Sequence, residues 1–163
     1  MTETALKAFL AENLAAAMAI AARDGMAPKL KAQILVYPAV DLSMSGDYYG
    51  RFTKDLLLTD DTMRWFIDLY IPKAEQRKDW RASPMLATNH KDLAPALVVL
   101  AGYDPLCAEG EAYAEMLKTA GVPVTITRYP GQLHGFLSNG KIMPKANDAI
   151  ADITKALVPA FAA

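Results

Sequence analysis

A continuous apolar run, Ala96-Leu97-Val98-Val99-Leu100-Ala101-Gly102, is followed directly by the polar turn Tyr103-Asp104-Pro105-Leu106. An apolar run of this length without alternation predicts a strand that is buried on both faces, as in a parallel sheet. Residues 33–37 form a second such run, and residues 124–129 alternate as a half-covered edge strand does. The sequence therefore predicts an α/β fold with three parallel strands at about 33–37, 96–102 and 124–129, flanked by helices.

Helical patterns occupy the segments around these strands. Residues 1–24 contain no Pro or Gly, and Leu6, Leu10, Leu14 and Met18 recur every four residues among alanines, which predicts a helix whose small-residue face packs closely on the sheet. Residues 41–94 are a long crossover that contains a helix. The predicted helices are 1–24, 60–70, 109–120 and 144–161.

The bulk composition indicates one packed domain over residues 1–163, with 53% apolar and 21% charged residues. The formal net charge is −1 and no basic block is present, so we expect neither a nucleic-acid nor a membrane partner. The single cysteine excludes an intrachain disulfide and favours a reducing compartment. No secretory pattern is visible, and we expect a cytoplasmic location.

Two chemically active side chains follow predicted strands. Asp104 comes directly after residues 96–102, and His134 follows residues 124–129 within Gly131-Gln132-Leu133-His134-Gly135-Phe136. Catalytic groups of parallel sheets gather at the carboxyl ends of the strands, and a carboxylate there can orient and charge-stabilise an imidazole, as in a Ser-His-Asp triad. A simple Asp-Pro turn and a solvent-facing histidine explain the same residues, and both interpretations stay open at this point.

The remaining candidate residues give weaker evidence of a catalytic or binding role. His90 lies in a polar loop and is predicted to be on the surface, and Cys107 is predicted to be an incidental thiol near a helix start. Two histidines and one cysteine give no metal-ligand cluster, and no Gly-rich phosphate loop is present, so no cofactor or metal is implied. Trp65, Phe66 and Tyr70 fit either an apolar pocket or a helix packed on a core.

Taken in order, the motifs resemble the C-terminal half of α/β-hydrolases of the hormone-sensitive-lipase type, the bacterial carboxylesterases. The resemblance covers nearly everything from Asn13 onward. It is carried by Glu12-Asn13-Leu14-Ala15-Ala16-Ala17, Leu35-Val36-Tyr37-Pro38, Ser83-Pro84-Met85, residues 96–106, Glu109-Gly110-Glu111-Ala112-Tyr113-Ala114, Ala120-Gly121-Val122-Pro123-Val124, Arg128-Tyr129-Pro130-Gly131 and His134-Gly135-Phe136.

The resemblance implies that Asp104 is the acid and His134 the base of a triad acting on esters of short to medium acyl chains. It also implies a nucleophilic serine in a Gly-Asp-Ser-Ala-Gly-Gly elbow just before Asn13. Here Lys7-Ala8-Phe9-Leu10-Ala11-Glu12 occupies those places, so Phe9 stands at the serine position, and the His-Gly-Gly oxyanion loop has no counterpart. None of the four serines lies in such an elbow. They are Ser43, Ser45, Ser83 and Ser138.

We therefore expect a truncated α/β-hydrolase that retains Asp104 and His134 but lacks the nucleophile. As an isolated chain it is expected to be inactive. If it is active, its substrate is expected to be a small acyl ester. Two alternatives stay open. The chain could be one half of a split esterase completed by another chain. It could instead be a non-enzymatic module that forms a homo-oligomer through the exposed edge of the strand at 33–37.

Overall fold

The computed structural model describes residues 3–50, 54 and 56–162. Within these residues the chain forms one parallel sheet with the strand order β1-β2-β3, which confirms the predicted α/β class and its three parallel strands. The strands are β1 (Gln33–Val36), β2 (Ala96–Tyr103) and β3 (Val124–Leu133).

The central strand β2 is buried from Ala96 to Ala101, whereas β3 is only partly covered and has Tyr129 as its one buried residue, as expected of an edge strand. β3 is longer than predicted because pairing with β2 continues past Pro130 after a shift of register at Gly102. A Cβ atom on Gly102 would lie 2.1 Å from the carbonyl oxygen of Pro130, so only glycine permits this approach. Beyond the shift, Tyr103 pairs with Leu133.

Helices cover both faces of the sheet, as the chain order of strands and helices requires. The first and third helices share one hydrophobic cluster with one face of the strands, and the fourth helix packs on the opposite face. The helices are α1 (Glu3–Arg23), α2 (Asp60–Tyr70), α3 (Cys107–Thr119) and α4 (Lys145–Ala162).

The packing face of α1 is the small-residue face that the sequence predicts. Leu14 and Met18 are each 46% exposed, and the buried face is formed by Phe9, Ala16 and Ile20. Small alanine side chains allow the helix backbone to approach the sheet, so the alanine face, and not the leucine face, is the one that packs. The predicted close packing of the small-residue face is therefore confirmed.

The crossover between β1 and β2 contains α2 and two short 3₁₀ helices. The side chain of Thr59 accepts a hydrogen bond from the Thr62 N–H at 3.2 Å and so caps α2, which begins at the predicted residue 60. His90, predicted to be on the surface, is only 6% exposed. Its Nε2 pairs with the Pro84 carbonyl oxygen at 2.9 Å and its ring meets Tyr113 edge to face, which makes it a satisfied core residue.

Candidate active site

The side chains of Asp104 and His134 meet at the carboxyl ends of β2 and β3. Nδ1 of His134 lies 2.8 Å from Oδ2 of Asp104. The paired residues Tyr103 and Leu133 immediately precede them, so the strand register brings the two side chains together across 30 positions of sequence. The structure thus joins the two residues that the sequence proposed as an acid and a base, while their catalytic role stays a prediction.

Asp104 is fully buried and held by its own turn. Oδ1 accepts a hydrogen bond from the Leu106 N–H at 2.9 Å, and the Asp104 carbonyl oxygen accepts one from the Cys107 N–H at 3.0 Å. The residue is therefore a turn former, as one interpretation proposed, and its second carboxylate oxygen orients His134 as well. The carboxylate is therefore held in one orientation and is shielded from solvent.

The loop that carries His134 is anchored on both sides of the imidazole. Gly135 has a φ of 78°, a left-handed conformation that glycine adopts without a steric penalty. The fully buried Phe136 follows it, and the Asn139 side chain donates to the Gly135 carbonyl oxygen at 3.0 Å. The His134 side chain is only 15% exposed, so it is not the solvent-facing histidine of the alternative interpretation.

Two residues near the imidazole were not identified from the sequence as site residues. The ring of Tyr37 lies over the His134 ring, with centroids 4.5 Å apart and planes tilted by 54°. Burial, and then the charges of Glu12 and Asp104, raise the pKa of Tyr37 to about 12. The signal that could have found Tyr37 is its place at the carboxyl end of β1, the edge of the sheet where functional groups gather.

Glu12 lies on α1 beside the same group. Its Oε2 accepts a hydrogen bond from the Val36 N–H at 3.0 Å. Burial raises the pKa of Glu12, while the Val36 N–H and the charge of His134 oppose that rise. Three ionisable side chains thus surround the imidazole, and the carboxylate of Asp104 is the one that bonds it.

Phe9 occupies the position where the resemblance implies a nucleophilic serine. It lies inside the continuous helix α1, is 2% exposed, and packs against Phe66 with ring centroids 5.5 Å apart. An elbow requires a sharp strand-to-helix turn that exposes the nucleophile. Neither the backbone nor the side chain at this position meets that requirement.

The four serines are bonded elsewhere or exposed. Ser43 and Ser45 donate their hydroxyl groups to the Asp41 carboxylate at 2.5 and 2.6 Å, and Ser83 donates to the Arg77 carbonyl oxygen at 2.5 Å. Ser138 is exposed in the short helix after His134. In the part of the chain that the structure describes, no serine hydroxyl contacts the imidazole.

A second buried carboxylate, Glu109 on α3, anchors the loop that follows β1. It accepts hydrogen bonds from the Val40 N–H at 2.5 Å, the Asp41 N–H at 2.9 Å and the Tyr49 hydroxyl. Burial raises the pKa of Glu109 to about 7, although the three donors lower it. Glu109 therefore couples the start of α3, and with it the Asp104 turn, to the end of β1.

Other chemistry has little support near this site. Burial raises the pKa of the Cys107 thiol, which disfavours the reactive thiolate. Trp65 is 47% exposed on α2 whereas Phe66 is buried, so the aromatic residues of this helix line no closed pocket. Among the described residues no group of three or more His, Cys, Asp or Glu side chains could hold a metal ion, and no helix is long and apolar enough to cross a membrane.

A buried carboxylate bonded to one nitrogen of an imidazole can support proton transfer at the other nitrogen. With Nδ1–H donating to Asp104, Nε2 of His134 is the atom that can take and return a proton. Covalent catalysis of acyl transfer needs an attacking oxygen as well. In the part of the chain that the structure describes, a carboxylate and an imidazole are paired in this way, and no serine hydroxyl group stands beside them.

Comparison with known proteins gives one family. Residues 12–138 match the model of a family described as alpha/beta hydrolase fold. The chain is 36% identical over 152 residues to an ethyl acetate hydrolase of Pseudomonas putida, a match that covers 93% of this chain and 46% of that protein. It is 41% identical over 134 residues to the carboxylic ester hydrolase LipN of Mycobacterium tuberculosis, covering 77% of this chain and 35% of that protein.

Solved structures agree with this result. A hyperthermophilic esterase from the archaeon Pyrobaculum calidifontis superposes with a TM-score of 0.83 at 40% identity, over 89% of this chain and 48% of that one. A thermostable carboxylesterase cloned from a metagenomic library superposes with a TM-score of 0.86 at 33% identity, over 91% of this chain and 51% of that one. The chain thus spans about half the length, or less, of these four relatives.

Proposed function

Since this chain belongs to the alpha/beta hydrolase fold family of carboxylic ester hydrolases and covers part of that fold, we propose that Asp104 and His134 serve as the acid and the base of an ester-hydrolysing site. The observation that carries the proposal is the 2.8 Å bond between the buried Asp104 carboxylate and Nδ1 of His134. The substrate class is a carboxylic ester with a small acyl group, in keeping with the relative that hydrolyses ethyl acetate.

The reaction assigns one task to each residue. Nε2 of His134 removes the proton from an attacking hydroxyl group, which adds to the ester carbonyl carbon. Asp104 holds the ring in the required tautomer and stabilises the imidazolium that forms. The imidazolium then gives its proton to the departing alkoxide, and a water molecule repeats the sequence to release the acid.

We further propose that the 163 residues form one domain and do not hydrolyse esters by themselves. Phe9 has no hydroxyl group, and a triad that loses its nucleophile loses several orders of magnitude in rate. Missing oxyanion donors add a loss of about 3–4 kcal/mol in transition-state stabilisation. The serine and the oxyanion loop would come from a polypeptide segment outside these residues.

Complementation tests this proposal. The chain is co-expressed with the portion of the Pseudomonas putida ethyl acetate hydrolase that it does not match, and the purified complex is assayed with p-nitrophenyl acetate and butyrate. We expect turnover that neither polypeptide shows alone and that His134→Ala and Asp104→Asn abolish. His90→Gln, at the only other histidine, is the matched control and retains turnover. Turnover that survives His134→Ala, or a folded stoichiometric complex without turnover, contradicts the proposed roles.

A second candidate role rests on the edge of the sheet. Among the described residues β1 has a neighbouring strand on one side only, and open edges of this kind pair with other chains. A non-enzymatic module that self-associates through β1 would follow. Light scattering across a concentration series tests it: a monomer at every concentration excludes this role, and a dimer lost on Ile34→Pro supports it.

A further inference from the structure

Tyr37 has an unusual backbone conformation at the end of β1. Its φ is 43°, in the left-handed region that bulky side chains rarely adopt. Strain of this kind persists only where the surrounding structure enforces it, and it concentrates at functional sites. The residue stands directly beside the imidazole of His134, with ring centroids 4.5 Å apart.

The structure holds this conformation from several directions. The Tyr37 N–H donates to the Val99 carbonyl oxygen at 2.6 Å, which ties the strained residue to the central strand. The preceding N–H, of Val36, donates to the Glu12 carboxylate at 3.0 Å. The Tyr37 ring also packs against the ring of Phe136, in the loop that follows His134, with centroids 6.1 Å apart. The backbone and the ring of Tyr37 are therefore both held.

We propose that Tyr37 is a positioning residue for His134, placed by its left-handed backbone so that its ring packs against the imidazole while Asp104 holds Nδ1. A ring bonded at one nitrogen alone can still rotate about that bond. A second contact, with the ring of Tyr37, removes this freedom and fixes the direction of Nε2. The catalytic meaning of this role rests on the proposed function, whereas the restraint on the ring does not.

Tyr129 shows that core packing alone does not require this arrangement. Its ring packs against Phe136 with centroids 5.2 Å apart, as the Tyr37 ring does at 6.1 Å, so both tyrosines belong to one hydrophobic cluster. Tyr129 has no positive φ, and of the two tyrosines only Tyr37 makes a ring contact with His134. Tyr129→Leu is therefore the matched control for Tyr37→Leu.

Nuclear magnetic resonance of the isolated chain tests the proposal without any ester. The Nδ1–H proton of His134 is assigned by comparison with His90→Gln, since the chain has two histidines. In Tyr37→Leu we expect the exchange of this proton with water to accelerate by about tenfold or more, because the bond to Asp104 opens more often. Tyr37→Phe, which keeps the ring, and Tyr129→Leu are expected to stay near the wild-type rate.

A wild-type rate in folded Tyr37→Leu, or equal acceleration in Tyr37→Leu and Tyr129→Leu, overturns the proposal. Should Tyr37→Leu fail to fold, Glu12→Ala decides, since it removes the acceptor of the Val36 N–H and so loosens the backbone that places the Tyr37 ring. Glu12→Gln is its control, because it removes the charge that acts on His134 and keeps an acceptor for Val36. Acceleration in Glu12→Ala but not in Glu12→Gln supports the proposal, and equal rates in the two variants refute it. The proposed function fails in a different measurement, the turnover of the complemented complex, so the two failures are distinguishable.

Discussion

The ring of Phe9 packs against the ring of Phe66 with centroids 5.5 Å apart, and this contact lies where the family resemblance implies an exposed serine. Phe9 belongs to a buried cluster with residues of the crossover, among them Leu42 and Met63. This position is part of the hydrophobic core, so its side chain contributes to stability and provides no nucleophilic group.

Replacing Phe9 by serine is therefore predicted to weaken the fold without creating an enzyme. Truncation of a buried phenylalanine lowers the free energy of unfolding by about 3–5 kcal/mol, and the buried hydroxyl group adds to the loss. Urea denaturation measures this change. Trp65→Ala, at the neighbouring exposed ring, is the control and is expected to cost less than about 1 kcal/mol. Ester turnover by folded Phe9→Ser would contradict our account of α1.

Gly102 is predicted to be irreplaceable because the register shift that aligns Asp104 with His134 depends on it. In Gly102→Ala the new Cβ would meet the backbone carbonyl of Pro130 at 2.1 Å, which forces β2 and β3 apart. We expect a loss of at least about 1–3 kcal/mol in the free energy of unfolding. Gly131→Ala is the control, since a Cβ there meets no atom within 4 Å. Equal stability of the two variants would show that no close approach exists.

Glu109 is predicted to make stability depend on pH. Its pKa is raised from 4.5 to about 7 in the folded chain. Between these values the unfolded chain releases the proton that the folded chain keeps, so the contribution of Glu109 to the free energy of unfolding is fully present below pH 4.5 and is lost as the pH rises through about 7. The raised pKa of Glu12 acts in the same direction, so a variant is needed to isolate Glu109.

Glu109→Gln isolates this contribution. A glutamine can accept the Val40 and Asp41 N–H groups with its oxygen and donate to Tyr49 with its nitrogen, so the anchor of the loop is retained. Urea denaturation at several pH values is expected to give a shallower fall in stability for Glu109→Gln than for the wild type. Identical slopes in the two proteins would mean that Glu109 has the same pKa in both states.

The order of the elements could be predicted because strands and helices have different periodicities, and the meeting of Asp104 with His134 followed because parallel strands end at one edge of the sheet. The close packing of α1 followed as well, because alanine side chains let the backbone of a helix approach a sheet. His90 was misplaced since a polar neighbourhood in sequence does not reveal a buried carbonyl partner such as that of Pro84.

Tyr37 and Glu12 were missed for a related reason. Their sequence motifs were recognised, but the left-handed φ at Tyr37 and the capping of Val36 by Glu12 are properties of the assembled backbone. No local pattern of residue types predicts this backbone conformation or this hydrogen bond. A site that is built from the end of one strand and one turn of a helix can therefore be identified only in the folded structure.

The hydrolysis of p-nitrophenyl butyrate by the purified 163-residue chain tests most directly whether a base and its acid stand here without a nucleophile. We predict that the wild type and His134→Ala release p-nitrophenol at the same rate, equal to that of buffer with an inert protein. A saturable rate in the wild type that His134→Ala abolishes would contradict this claim, because it would require an attacking group within the chain itself.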